Sequence, residues 1–177
     1  PMYTALPYAS VEVLEYMKQH GARIEGAEPF RQARRNYEAQ LWMADNAVPV
    51  TADEVIAIAR HAPKNLAVFE ALRARAVDLN VTSSASENAL AVAITLYDVG
   101  LVKLLVDSGV DLGPLRAWPD KIASSALEMA RNLTAEIPPP SCIGPCPKSH
   151  PGPIPSADLE QRKEAIIFIL QNALNER

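Results

Sequence analysis

Two cysteines and a histidine form the one pattern in this sequence that resembles the spacing of metal ligands. Cys142, Cys146 and His150 are separated by three residues each and lie in a proline-rich stretch. Zinc sites use four ligands with closely spaced pairs, and the sequence offers no second cysteine pair. A disulfide between the two thiols would close a very short loop and add little stability. The pattern therefore predicts an exposed loop with two free thiols, no metal site and no cofactor.

Acidic and histidine side chains with helical spacing are the remaining candidates for acid–base chemistry. Glu54 and His61 are seven residues apart and Glu12 and Glu15 three apart, so each pair shares a helix face. Such pairs are far more often ordinary surface charges than catalytic groups. The sequence also lacks a glycine-rich phosphate loop, a serine nucleophile elbow and a zinc-binding His-Glu-x-x-His helix. These residues favour a protein without catalytic activity.

The bulk composition is that of a folded, slightly acidic domain. The chain of 177 residues is 49% hydrophobic and 21% charged, which predicts one globular domain over 1–177. Its net charge of −4 argues against nucleic acid as a partner, since nucleic-acid binders concentrate basic residues on one face. The one basic cluster consists of Arg31, Arg34 and Arg35, diluted by Glu28 and Glu38. We interpret it as a solvated helix face.

Nothing in the sequence predicts export or membrane insertion. No apolar run approaches the roughly 20 residues that a spanning helix needs. The N-terminus, Pro1-Met2-Tyr3-Thr4, has no basic region followed by an apolar stretch, and its first residue suggests a processed or trimmed chain. Two cysteines in one loop do not form the framework of a secreted disulfide-rich domain. We therefore expect an intracellular protein, cytoplasmic or nuclear, with no membrane partner.

Apolar residues recur with helical spacing almost throughout the chain, which predicts an all-α fold. Thr51 and Glu54 form a capping-box pattern at one helix start, and Gly21 and Gly109 follow helix ends. Eight of the 15 prolines lie between residues 138 and 155, which predicts an extended insertion near 133–157. Strand signals are weak everywhere, and residues 116–120 read as a protruding loop. Helices are predicted over 11–19, 28–46, 51–61, 66–75, 86–97, 101–108, 123–133 and 157–175.

A five-residue pattern recurs after one helical hairpin. Ala76-Val77-Asp78-Leu79-Asn80 reappears 33 residues later as Gly109-Val110-Asp111-Leu112-Gly113, and Gly21-Ala22-Arg23-Ile24 echoes it. The window from Asn88 to Leu112 resembles the ankyrin repeat, with Ala93 at the small position of the first helix. Ser125 to Ala130 mirrors the start of this window. The resemblance implies a short ankyrin-like helical-repeat solenoid of about four repeats, although the family's Thr-Pro-Leu-His signature is absent. The helix near 28–46 is then an addition.

The ankyrin resemblance implies a protein-protein interaction module, because such stacks expose a concave face and projecting hairpin tips. The partner is expected to be another protein or another domain of a longer chain. Trp118 lies beside Arg116 where the family has a hairpin, so it is either an interface anchor or folded back onto the next repeat. The residues expected at the tips are Asn80, Thr82, Ser83, Arg116, Trp118 and Asp120.

An enzyme built on a helical-repeat scaffold is the alternative, since a fold does not fix a function. Its pocket would lie between the 28–46 helix and the repeat stack. Tyr37, Trp42, His61 and Tyr97 would then be candidates, although core packing is the simpler expectation for Trp42. A deep apolar cavity with a buried polar cluster would favour this alternative.

Overall fold

The computed structural model describes residues 5–24, 28–61, 66–117, 121–134 and 156–176, and the described chain is predominantly α-helical, as predicted. Two short strands accompany the helices. The elements in chain order are α1 (Val11–Gln19), α2 (Pro29–Gln32), α3 (Tyr37–Asp45), α4 (Ala52–Ala59), α5 (Leu66–Ala74), α6 (Ala89–Thr95), α7 (Val99–Asp107), β1 (Leu115–Ala117), β2 (Lys121–Ala123), α8 (Ala126–Arg131) and α9 (Ser156–Asn175). The core of the predicted proline-rich insertion, residues 135–155, lies outside the described residues, as do Cys142, Cys146 and His150.

The prediction of one helix over 28–46 is wrong, because this segment forms two helices, α2 and α3. Asn36 ends the intervening turn and caps α3, since its side chain accepts a hydrogen bond from the Ala39 amide at 3.2 Å. The same side chain donates to the carbonyls of Leu6 and Ala9 at 2.9 and 2.8 Å. Asparagine side chains that bond backbone in this way compete with a continuing helix. The break thus depends on contacts some thirty residues away, which periodicity does not reveal.

The loop predicted over 116–120 begins in a strand, because Arg116 and Ala117 belong to a short β-hairpin. Strands β1 and β2 pair antiparallel, with Leu115 opposite Ala123, Arg116 opposite Ile122 and Ala117 opposite Lys121. Each strand has only three residues, too few for alternation to stand out in the sequence. The hairpin turn at 118–120 lies outside the described residues.

The helices contact one another in two series. The first series runs in the order α2, α4, α6 and α8, and each helix contacts the next. The second series runs in the order α1, α3, α5, α7 and α9, again with each helix in contact with the next. Helix α6 also contacts α7 and β1, so all of its residues from Ala89 to Ile94 are buried. Ala89, Ala91 and Ala93 keep this helix narrow, so that several neighbours can approach it closely.

Helices α1, α3, α5 and α7 end in the same left-handed turn. The residues in this turn are Gly21, Ala47, Ala76 and Gly109, with φ of 80°, 58°, 55° and 78°. In each turn the following amide donates to the carbonyl five residues before it, as in a Schellman motif. Beyond the turn, the Asp78 carboxylate accepts from the Asn80 amide at 2.8 Å, and Asp111 accepts from the Gly113 amide at 2.9 Å. The matched pattern at 76–80 and 109–113 therefore adopts a matched conformation.

Ala76→Gly is expected to raise the free energy of unfolding by about 0.5–1 kcal/mol. A residue with a Cβ costs about 1–2 kcal/mol in the left-handed region, and the greater freedom of glycine in the unfolded chain offsets part of the gain. Urea denaturation measures the change. Ala74→Gly, at the exposed end of α5, is the matched control and should lower stability by about 0.5–1 kcal/mol. Equal losses in both variants would contradict the left-handed turn at Ala76.

Helices α4, α6 and α8 begin at a constant interval. Their N-caps are Thr51, Asn88 and Ser125, each 37 residues after the one before. Thr51 forms the predicted capping box, in which the Glu54 carboxylate accepts from the Thr51 amide at 2.9 Å. Ser125 accepts from the Glu128 amide at 3.2 Å. Asn88 does not cap its own helix and instead bonds the β-hairpin.

Candidate interaction surface

The β1–β2 hairpin has one buried face and one exposed face. Leu115, Ala117 and Ala123 point into the core, whereas Arg116 lies exposed between the first two. Directly opposite residues of an antiparallel pair lie on the same face, so Ile122 lies beside Arg116. Ile122 is 71% exposed, which is unusual for a large aliphatic side chain in a strand. The exposed face thus presents an apolar side chain next to a guanidinium group.

Asn88 fixes the hairpin against the preceding extended segment. Its amide donates to the Arg116 carbonyl, and its Oδ1 accepts from the Arg116 amide, both at 3.1 Å. Its Nδ2 donates to the Thr82 hydroxyl at 3.2 Å, and Thr82 and Asn88 also form an isolated antiparallel bridge. A single asparagine therefore brings two predicted site residues, Thr82 and Arg116, to the same edge of the molecule. The sequence placed Asn88 only at a helix start and did not reveal this role.

Asn80 lies near this edge but uses its side chain internally. Its Oδ1 accepts a hydrogen bond from the Asp111 amide at 3.1 Å, which ties the two matched turns together. A shallow cleft of about 220 Å³ lies between these turns, with Asn80, Thr82, Asn88 and Asp111 among its lining residues. Much of its polar lining is already hydrogen bonded within the chain. The cleft is therefore a groove between turns and not an enclosed binding cavity.

Three other predicted site residues are placed differently. Ser83 is only 9% exposed, and its hydroxyl accepts from the Glu87 amide at 3.1 Å, so this side chain is largely covered and holds a turn. Trp118 and Asp120 lie outside the described residues. Of the six predicted residues, the structure brings Thr82 and Arg116 together and places Asn80 along the adjoining cleft. Ile122, which the sequence analysis did not single out, joins them.

No protein-family model matches this chain, and comparisons with curated proteins and with solved structures gave no match.

The residues considered for an enzymatic pocket, Tyr37, Trp42, His61 and Tyr97, do not line the 220 Å³ cleft in the described part of the chain. Trp42 is buried, and its Nε1 donates to the Glu15 carboxylate, which confirms core packing for this side chain. Tyr97 is also buried and donates its hydroxyl to the Thr134 carbonyl; burial, with a smaller contribution from Glu160, raises its pKa. His61 is exposed beyond the end of α4. A second cleft, of about 550 Å³, is lined by residues of 73–80 and 107–109, and none of the four residues lines it.

In the described ranges, no three His, Cys, Asp or Glu side chains come together as a metal site would require. No helix in that part of the chain combines the length and apolar character needed to cross a membrane.

Proposed function

We propose that this chain is a short stack of ankyrin-like helical units that binds another protein, or another domain of a longer chain, inside the cell. The two series of helix contacts, the constant interval between Thr51, Asn88 and Ser125, and the recurring left-handed turns support such a stack. In this proposal α2 and α3 form a unit of their own rather than an addition. The units are α2–α3, α4–α5, α6–α7 and α8–α9, preceded by α1.

The exposed pair Arg116 and Ile122 carries the proposal for binding. Arginine is enriched among the residues that dominate binding energy. Burial of the neighbouring apolar side chain against a partner adds favourable free energy, because apolar surface is removed from water. Ile122 can lose most of its exposed surface only by contacting something outside the described residues. The hairpin reaches the surface with its other face buried and its backbone bonded to Asn88, so little conformational freedom is lost on binding. Thr82 adds a hydroxyl at the same edge.

Replacing Arg116 and Ile122 together by alanine is expected to reduce partner recovery at least ten-fold while the fold persists. Truncation of two neighbouring contact residues at about 1–2 kcal/mol each accounts for a loss of this size. Tagged wild-type and variant proteins are cross-linked in the source cells, and the recovered proteins are quantified by mass spectrometry. The partner is the protein recovered with wild type and lost with the variant.

The matched control is Lys103→Ala with Leu174→Ala, which also removes one charged and one exposed aliphatic side chain, on α7 and α9. It should leave partner recovery unchanged. Thermal unfolding of all three proteins separates binding from folding. Loss of helicity in the hairpin variant would show that Arg116 and Ile122 are structural. Equal recovery of the partner with the hairpin variant and with the control variant would refute this surface.

A further inference from the structure

A cluster of cationic side chains forms where two neighbouring helices end. Arg34 and Arg35 follow α2, and Arg60 and His61 follow α4, and all four are exposed. The amides of Phe30 and Arg31 at the start of α2 donate to Glu54 in the first turn of α4, so the two helices begin side by side. Arg34 and Arg60 therefore follow helices that pack against each other. The sequence places Arg34 and Arg60 in separate segments and reveals only the first half of the cluster.

The pKa of His61 reflects desolvation and the nearby cations. Desolvation lowers the pKa of His61, and the guanidinium groups of Arg34, Arg60 and Arg35 lower it further. Three cations thus act on one imidazole from two separate segments. The C-terminal ends of both helices carry partial negative charge that offsets part of this repulsion.

Two carboxylates near the cluster already pair with arginines. Glu28 pairs with Arg31 at 2.9 Å, and Glu87 pairs with Arg60. Within the part of the chain that the structure describes, Arg34 and Arg35 form no ion pair. An excess of positive charge therefore remains at this site, although the whole chain carries a net charge of −4.

We propose that the cluster of Arg34, Arg35, Arg60 and His61 binds an acidic segment of the partner protein. This inference rests on the proposed binding function and assigns a chemistry to part of the partner. Guanidinium groups bind carboxylates with two parallel hydrogen bonds, which suits a run of Asp or Glu residues. Packed helices lie roughly 8–10 Å apart, and an extended chain advances roughly 3.3–3.6 Å per residue. Two helix ends thus match about three acidic residues.

Nucleic acid is a poorer match than an acidic peptide. Its phosphates form a long track, and binding needs a basic stripe of similar length. Here the basic residues occupy two adjacent helix ends on an acidic chain. The cluster of Arg31, Arg34 and Arg35, interpreted from the sequence as a solvated helix face, becomes a candidate site only because α4 adds Arg60 and His61.

The test is calorimetric titration of the whole chain with hexaglutamate, a serine–glycine peptide of equal length, hexathymidylate, and vesicles containing phosphatidylserine. We expect hexaglutamate to bind, to weaken with rising salt, and to lose about ten-fold in affinity in Arg34→Ala with Arg35→Ala. The control, Arg73→Ala with Arg131→Ala, removes the same charge from exposed sites elsewhere and should bind like wild type. Bound hexaglutamate should also raise the pKa of His61, followed by NMR, because the carboxylates offset the neighbouring cations.

Three results would overturn the inference. The first is that wild type does not bind hexaglutamate. The second is that the cluster variant and the control variant lose equal affinity for hexaglutamate. The third is tighter binding of hexathymidylate or of the vesicles than of hexaglutamate. The hairpin variant of Arg116 and Ile122 should bind hexaglutamate normally. If hexaglutamate fails while the hairpin variant still loses the cellular partner, the interaction module stands and only the acidic segment is refuted.

Discussion

Glu54→Ala is expected to lower the free energy of unfolding by about 3 kcal/mol. Glu54 is only 1% exposed, and its carboxylate accepts from the amides of Phe30 at 2.7 Å, Arg31 at 3.3 Å and Thr51 at 2.9 Å. Removing the carboxylate leaves the buried Phe30 amide without a partner, and each such group costs about 1–3 kcal/mol. The reciprocal half of the capping box, the bond from the Thr51 amide, is lost as well, whereas the Thr51 hydroxyl still caps the helix. Urea denaturation followed by circular dichroism measures the change.

Glu128→Ala is the matched control, because Glu128 occupies the corresponding position in α8. Its carboxylate accepts from the Ser124 amide at 2.7 Å and from the Ser124 hydroxyl, and these bonds lower its pKa. Glu128 is exposed, so water can replace the lost bonds, and its variant should lose only a small fraction of what Glu54→Ala loses. Similar losses in the two variants would contradict the buried network around Glu54.

Glu54 also connects stability with the basic cluster. By bonding the first amides of α2, it holds the start of this short helix against α4, and Arg34 follows that helix closely. At a temperature where Glu54→Ala remains folded, its affinity for hexaglutamate should therefore fall although no cationic residue has changed.

Phe69→Ala is expected to lower the free energy of unfolding by about 3–5 kcal/mol, the range found when buried aromatic side chains are truncated. Phe69 is 0% exposed on α5, which contacts α3 on one side and α7 on the other. Truncation therefore leaves a cavity where helices of the second series meet. Urea denaturation should show a lower midpoint, while the slope of the unfolding free energy against urea concentration stays unchanged.

Phe168→Ala removes the same side chain from a position that is 64% exposed on α9 and serves as the control. Its loss should stay within about 0.5 kcal/mol, as for most surface substitutions. A large loss at Phe168 would mean that this face of α9 is covered in solution. A small loss at Phe69 would contradict the packing of α5 between α3 and α7.

The sequence by itself determined the features that depend on neighbours along the chain. Helical spacing predicted most helices, the pattern of Thr51 and Glu54 predicted a capping box, and Gly21 and Gly109 predicted left-handed helix ends. All of these were confirmed, because capping and left-handed turns involve residues within about one helical turn of each other. The all-α class followed from the same local signals, with only the short hairpin missed. The ankyrin resemblance, and the function drawn from it, remain proposals.

Only the tertiary structure decided which residues meet across the helices. Asn36 breaks the 28–46 segment through bonds to residues near the N-terminus, and Asn88 bonds both Thr82 and Arg116, the latter 28 residues away. Burial of Ser83, exposure of Ile122 and the meeting of Arg34 with Arg60 depend in the same way on how elements pack. The physical reason is that a side chain's exposure and partners are set by neighbours distant in sequence, whereas helix propensity and capping are set by adjacent residues.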